Sequence, residues 1–305
     1  MAALLERIRR ADRPPFQTLT PQAARATYEK VAEVLEPPRA PLARVEALTL
    51  PAFDGTPLRA RLYAASGRGA VLPPLLYLHG GGFVIGSLET HDSLCRQLAL
   101  KSGGAVVALD YRLAPEHRFP TAVDDAWAAM QWLAAHAESL ALDGRRLAVG
   151  GDSAGGTLAA VCALRARDLG LPLALQLLIT PGTTAFADTA SHQAFASGYL
   201  MDAQTIAWFF DQYIARAERG DWRFAPLLAD DVDGVAPACF VLAENDALVD
   251  EGLAYADRLR AAGVAVTLEL ARGVTHDFIK MGRALKEADE AQHAAANALK
   301  EAWTS

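Results

Sequence analysis

The chain has 305 residues, 52% of them apolar and 21% charged, a composition that can bury a large core and argues against disorder. Its 29 basic and 36 acidic side chains leave a net charge of −7 with no basic block, so nucleic-acid binding is not expected. Cys95, Cys162 and Cys239 are widely spaced and form no CxxC or Cys/His cluster; they predict buried free thiols in a reducing, cytoplasmic setting, with neither a structural disulfide nor a metal site.

In chain order, MAALLERIRRADRPP reaches Glu6 and Arg7 before an apolar stretch can form, so no secretory signal is expected. Two short helices follow one another across Pro14-Pro15. The second opens at Leu19-Thr20-Pro21, with Thr20 as the cap and Pro21 at the first helical position, and stops before Pro37-Pro38. Strands are expected at 44–50 and 58–63, paired antiparallel about Asp54-Gly55. The runs 75–78 and 105–109 are apolar throughout, as strands covered on both faces of a parallel sheet must be. Helices at 91–101 and 122–137, strand 147–149, helix 155–169 and strand 173–179 continue the alternation. It resumes with strand 239–243, helix 251–262, strand 266–271 and a last helix from about Met281 to Trp303. The stripe Ala288, Ala291, Ala295, Ala298 and Leu299 on that helix reads as core packing, with dimerisation as its lesser use.

This pattern predicts an α/β fold with a mostly parallel central sheet flanked by helices. Residues 184–222 interrupt it: they lack a clear strand and carry many aromatics, and read as a helical insertion over the sheet, with an ordinary pair of crossover helices as the alternative. The expected division is therefore N-terminal helices 1–45, a core in two parts, 46–183 and 223–305, and the insertion 184–222. The uncharged stretches 69–88 and 169–187 are broken by proline and glycine, and neither reads as a membrane span.

The chemistry-bearing segments lie at the ends of expected strands. Gly151-Asp152-Ser153-Ala154-Gly155 fits G-x-S-x-G between a strand and a helix. A serine held on so sharp a turn needs side-chain-free residues two before and two after it, and its hydroxyl then projects above the sheet. His79-Gly80-Gly81-Gly82-Phe83 follows strand 75–78 and can aim backbone N–H groups at a developing oxyanion. His79 reads as a brace for that loop. A phosphate loop is the competing use of such glycines, but neither G-x-x-x-x-G-K-[ST] nor G-x-G-x-x-G occurs. A serine nucleophile needs a histidine to take its proton and a carboxylate to orient the histidine, in the chain order Ser, acid, His. Asp246 and His276 stand just past strands 239–243 and 266–271. Glu244 and Asp250 are alternative acids. His91, His117, His136, His192 and His293 fall on helices, turns or the insertion, where exposure is the ordinary expectation.

Taken together, His79 to Phe83, Asp110-Tyr111-Arg112-Leu113-Ala114-Pro115-Glu116, Gly151 to Gly156, and Asp246 followed by Asp250-Glu251-Gly252 resemble the bacterial hormone-sensitive-lipase-like esterases of the α/β-hydrolase superfamily. The resemblance covers nearly the whole chain. It implies a serine carboxylesterase with an acyl-enzyme intermediate, acting on small short-to-medium-chain esters without a cofactor. The implied catalytic residues are Ser153, Asp246 and His276, with oxyanion donors at the amides of Gly81, Gly82 and Ala154. The helices 1–45 and the insertion would form a cap over the pocket, which is expected to use Phe83, Tyr199, Leu200 and Trp208. Family habit also suggests a homodimer. Two departures stand out. Asp277 follows His276 where the family usually has glycine; such a carboxylate can raise the imidazole pKa, but the first expectation is that it points to solvent. Ile179 to Thr184 lacks the usual tyrosine and aspartate, which bears on substrate choice. An amidase or deacetylase using the same residues is the nearest alternative. A non-catalytic receptor related to the plant gibberellin receptors is the remote one, since those lack the histidine present here as His276.

Overall fold

The computed structural model describes residues 1–304. Eight strands form one sheet: β1 (Arg44–Pro51), β2 (Pro57–Ala64), β3 (Pro74–Leu78), β4 (Ala105–Leu109), β5 (Ala148–Asp152), β6 (Leu175–Ile179), β7 (Ala238–Asn245) and β8 (Val266–Thr275). Their spatial order is β1-β2-β4-β3-β5-β6-β7-β8. β1 pairs antiparallel with β2, with Gly55 at φ +83° in the connecting turn, and β2 also runs antiparallel to β4. Every later pairing is parallel. The apolar runs behave as expected: β3, β4, β5 and β6 are buried along their whole length.

The helices are α1 (Ala2–Arg10), α2 (Pro21–Leu35), α3 (Asp92–Ser102), α4 (Thr121–His136), α5 (Ala154–Asp168), α6 (Ala190–Ala194), α7 (Ala203–Tyr213), α8 (Val249–Ala261) and α9 (Lys286–Thr304). Thr20 caps α2 by accepting from the Ala23 amide at 3.2 Å, which satisfies one of the helix's orphan donors. Neighbouring strand residues diverge to opposite faces of the sheet, as a period of two requires. Leu76 joins the core under α4, α5 and α8 with Met130, Leu158 and Leu259, whereas Leu75 and Tyr77 join the core under α3 and α9 with Leu98 and Leu299. Each such side chain is worth about 1.5–3 kcal/mol of burial. α6 and α7 make up the helical insertion after β6.

Several boundaries differ from the sequence reading: β7 and β8 run on to Asn245 and Thr275, beyond the expected ends at 243 and 271. β5 runs on through Gly150 and Gly151 to Asp152, because a Cβ on Gly150 would crowd Leu177 of the neighbouring strand and only glycine lets the pairing continue. α9 starts at Lys286 rather than Met281. The intervening residues dock on the end of α2 instead: the Arg283 amide donates to Leu35 O at 3.0 Å, and Gly282 lies against Pro37. Among the described residues no helix is long and apolar enough to cross a membrane.

Candidate active site

Ser153 sits between β5 and α5 at φ +54°, ψ −120°, a backbone region that costs a non-glycine residue about 1–3 kcal/mol. The surroundings enforce it. The Ser153 amide donates to Ile179 O at 2.8 Å. A Cβ on Gly151 or on Gly155 would run into the Leu78 carbonyl. With glycine at both places, the turn packs against β3 and leaves the serine at the C-terminal edge of the sheet.

Beside it, the loop after β3 takes φ +121° at Gly81 and φ +59° at Gly82. Gly81 O accepts from the amides of Val84 and Ile85 at 3.0 and 2.9 Å. Among the described residues the amides of Gly81 and Gly82 donate to no protein acceptor, and Ala154, as the first residue of α5, has no intrahelical one. These donors are therefore available to a ligand. A Cβ on Gly82 would enter the Phe209 ring, so the loop and the insertion touch here. Below the loop, the buried Asp152 carboxylate accepts from the Gly80 amide at 3.0 Å, Tyr77 Oη at 2.7 Å and His91 Nε2 at 3.1 Å. Burial opposes its charge, but His91, Lys280 and Tyr77 more than offset that and hold its pKa below the usual carboxylate range. His79 braces the same loop. Its Nδ1 lies 2.8 Å from Gly80 O, its ring stacks on Tyr111 at 4.4 Å, and Tyr111 Oη donates to His79 O at 2.7 Å. Desolvation lowers its pKa to about 3, so it stays neutral.

His276 and Asp246 emerge from the C-terminal ends of the adjacent strands β8 and β7. Both are buried, and His276 Nδ1 meets Asp246 Oδ2 at 2.7 Å. Asp246 Oδ1 accepts from the Leu248 amide at 3.0 Å. Burial penalises the imidazolium, yet Asp246 outweighs it, with smaller help from Asp277 and Asp152, and the His276 pKa lies above its ordinary value. The alternative acids are engaged elsewhere: Glu244 pairs with Arg272, and Asp250 accepts from the Ser191 amide. Asp277 does not simply point to solvent. It occupies a left-handed position at φ +67°, which explains why glycine suits the site, and its carboxylate contacts Lys280 at 2.9 Å and Tyr28 at 3.4 Å.

Ser153 lines a cavity with Gly82, Phe83, Ala154, Met201, Ile206, Phe209, Phe210, Phe224 and Leu248, and with the more polar Thr157, Gly182, Thr184 and Glu251. Tyr199, Leu200 and Trp208 are not among the residues that line this cavity. Helix α7 turns Ile206, Phe209 and Tyr213 inward, and that phase leaves Trp208 half-buried, tilted on Phe209. Tyr199 packs on Phe195, and Leu200 packs against the core under α3 and α9. Gly81 is one residue removed from the cavity wall. The structure thus joins Ser153 to Gly82, Ala154 and Phe83, and His276 to Asp246. Among the described residues no hydrogen bond links the Ser153 hydroxyl to His276, an arrangement common in ligand-free sites, where such bonds tighten on substrate binding.

Three buried polar groups near the site escaped the sequence reading. His91 and His192 are buried, not exposed, because His91 serves Asp152 and His192 packs near Glu251, 4.0 Å away. Glu251 accepts from the Thr183 amide at 3.0 Å and from the Thr184 hydroxyl, and burial lifts its pKa to about 8. The available signal was its place in the Asp250-Glu251-Gly252 match.

The family model described as alpha/beta hydrolase fold matches residues 75–280. The ethyl acetate hydrolase of Pseudomonas putida is 45% identical over 282 residues, covering 90% of this chain and 88% of that protein. An ester hydrolase from the metagenome of Lake Arreo, solved with a bipyridine phosphonate derivative, is similar at TM-score 0.94 and 41% identity, over 99% of this chain and 97% of that one. A thermostable esterase from Pseudomonas putida gives TM-score 0.94 at 36% identity, over 98% and 95% of the two chains.

Proposed function

The chain belongs to the alpha/beta-hydrolase-fold family, among esterases related to the bacterial hormone-sensitive-lipase-like carboxylesterases, and we propose that it hydrolyses carboxylic esters with Ser153, His276 and Asp246 as its catalytic residues. The observation that carries this reading is the strained turn that presents Ser153 to a cavity beside the amides of Gly82 and Ala154, which have no protein acceptor among the described residues. In the proposed reaction His276 Nε2 removes the hydroxyl proton as Ser153 Oγ attacks the ester carbonyl. Asp246 holds the imidazole by its Nδ1–H and stabilises the cation. The carbonyl oxygen, now negative, is received by the amides of Gly81, Gly82 and Ala154, each such donor being worth about 3 kcal/mol in the transition state. His276 then protonates the departing alcohol, and the acyl-enzyme is cleared by a water that the same imidazole activates.

The substrate class follows from the lining. Most of it is apolar, it carries no cation, and its one carboxyl, Glu251, with a pKa of about 8 is largely protonated at neutral pH. An uncharged short-to-medium acyl ester suits such a cavity, whereas an anionic one finds no partner. Residues 1–45 and 184–222 are proposed as the cap, with 46–183 and 223–305 as the core. Gln17, which donates to Gln204 and accepts from Thr205, each at 3.1 Å, supports that grouping. The three buried free thiols suit a cytoplasmic setting. A homodimer, expected from the resemblance, has the outer edge of β8 available to it, and the mass in solution reads it out.

Ser153→Ala tests the central assignment. Turnover of a chromogenic short-chain ester is expected to fall by about 10⁴-fold or more, and labelling by a serine-directed phosphonate to vanish, with the melting temperature unchanged. A folded Ser153→Ala protein that still hydrolyses the ester would end the proposal.

A further inference from the structure

One N-terminal helix reaches both loops that border the reaction centre. From α2, Arg25 donates to Val84 O at 2.8 Å and Ala114 O at 2.7 Å, and Glu29 accepts from Ser87 Oγ at 3.0 Å. These contacts hold the far end of the glycine loop. One turn from Arg25, the buried Tyr28 takes its hydroxyl to Lys280 Nζ and Asp277 Oδ2. Lys280 is itself buried, with its ammonium 2.9 Å from Asp277 Oδ1 and 4.6 Å from the centre of the Tyr28 ring. No step of the proposed reaction uses this lysine. A buried ammonium is costly unless it is paired, and here its partner is the residue immediately after His276.

We infer that Lys280 and Tyr28 are positioning residues for His276: the ammonium clamps Asp277 and cancels its charge beside the imidazole, and Tyr28 ties that arrangement to α2. This rests on the reading of His276 as the general base. Its physical content is electrostatic. The groups that face this point are Asp246 from the end of β7, Asp277 and Lys280 after β8, Asp152 at the end of β5, the neutral His79 after β3, and Tyr28 and Glu36 from α2 and its C-terminal end. Burial works against the charge on Lys280, but Asp277, Tyr28 and Asp152 outweigh it and keep the ammonium protonated well beyond its ordinary range. Asp277 favours the imidazolium of His276. Left without its cation, that carboxylate would keep the imidazole protonated to higher pH and so withdraw the base from use. A glycine at 277 creates no such demand; an aspartate does, and Lys280 meets it.

The test follows the acid limb of kcat/KM for a chromogenic short-chain ester in the wild type, Lys280→Met, Asp277→Gly, the double variant and Tyr28→Phe. Lys280→Met is expected to move the limb up by about 0.5 pH unit or more and to lower kcat at neutral pH severalfold, with a smaller change in KM. Asp277→Gly should move the limb down, and the double variant should bring it back to within about 0.2 unit of the wild type. Tyr28→Phe keeps every charge, so kcat should fall with the limb unmoved. Limbs that stay in place in both single variants while only the melting temperature drops would overturn the inference and leave the pair a packing feature. If Lys280→Met does not fold, Asp277→Gly and the double variant decide on the same signs. Activity that survives Ser153→Ala would instead defeat the underlying assignment, so the two failures are separable.

Discussion

The serine turn and the histidine loop arrive at the same end of the sheet but are held by different forces. Ser153 is gripped by backbone, through its amide on Ile179 and the close approach of Gly151 and Gly155 to the Leu78 carbonyl. His276 is gripped by side chains, with Asp246 on its ring nitrogen and Asp277, Lys280 and Tyr28 behind it. A backbone grip tolerates no extra atom and is indifferent to pH. A side-chain grip accommodates changes of shape and responds to every nearby charge.

The sharpest way to break the first grip is Gly155→Ala. Its methyl has no room against the carbonyls of Leu78 and His79, neither of which can swing aside, so a loss of more than about 4 kcal/mol is expected. The readout is the thermal melt, with little or no folded protein recovered. The second grip breaks differently under Asp246→Asn. The fold should persist while kcat falls by about 10³- to 10⁴-fold, because the tautomer and the cation both lose their support. The pH profile carries the sign. His276, as the proposed base, works only when neutral, so activity is expected to decline as pH falls through its raised pKa. Removing Asp246 should shift that limb to lower pH. Stability moves the other way, since the imidazolium–carboxylate pair stabilises fully below the unfolded histidine value and is lost as pH rises through the folded one.

The smallest expected effect is at Glu251, where burial raises the carboxyl to about 8. The native state keeps a proton that the unfolded chain has released, so this group's contribution to stability is full below the unfolded value of 4.5 and is lost as pH rises toward 8. Glu251→Gln should flatten the fall in melting temperature across that window. An unchanged slope would mean that the carboxylate is ionised in place.

What the sequence made legible follows the same divide. The turn at Ser153 and the glycine loop are local: their glycines lie within a few residues of the groups they serve, and the strand before each is an unbroken apolar run. Asp246 and His276 could be picked out because each stands directly beyond a strand. The support behind the histidine was not legible, since Tyr28 and Lys280 are 252 residues apart and nothing in either neighbourhood names the other. The lining of this cavity was less legible for a subtler reason. Which face of α7 turns inward depends on where the helix starts, and Asp202, accepting from the Thr205 amide at 2.8 Å, sets that start. With the phase fixed there, Ile206, Phe209 and Phe210 form the wall, and Trp208 falls to the side.

The union of α2 with the segment after β8 has a kinetic consequence. Closing so long a loop carries a large entropy cost, and few local contacts guide it, so this docking is expected among the last events of folding and among the first to reverse on warming. Heat would then silence the enzyme in stages. Partial undocking of the helix would misplace the proposed base while the sheet and the proposed nucleophile remain intact, and cooling would restore turnover without a need to refold the core.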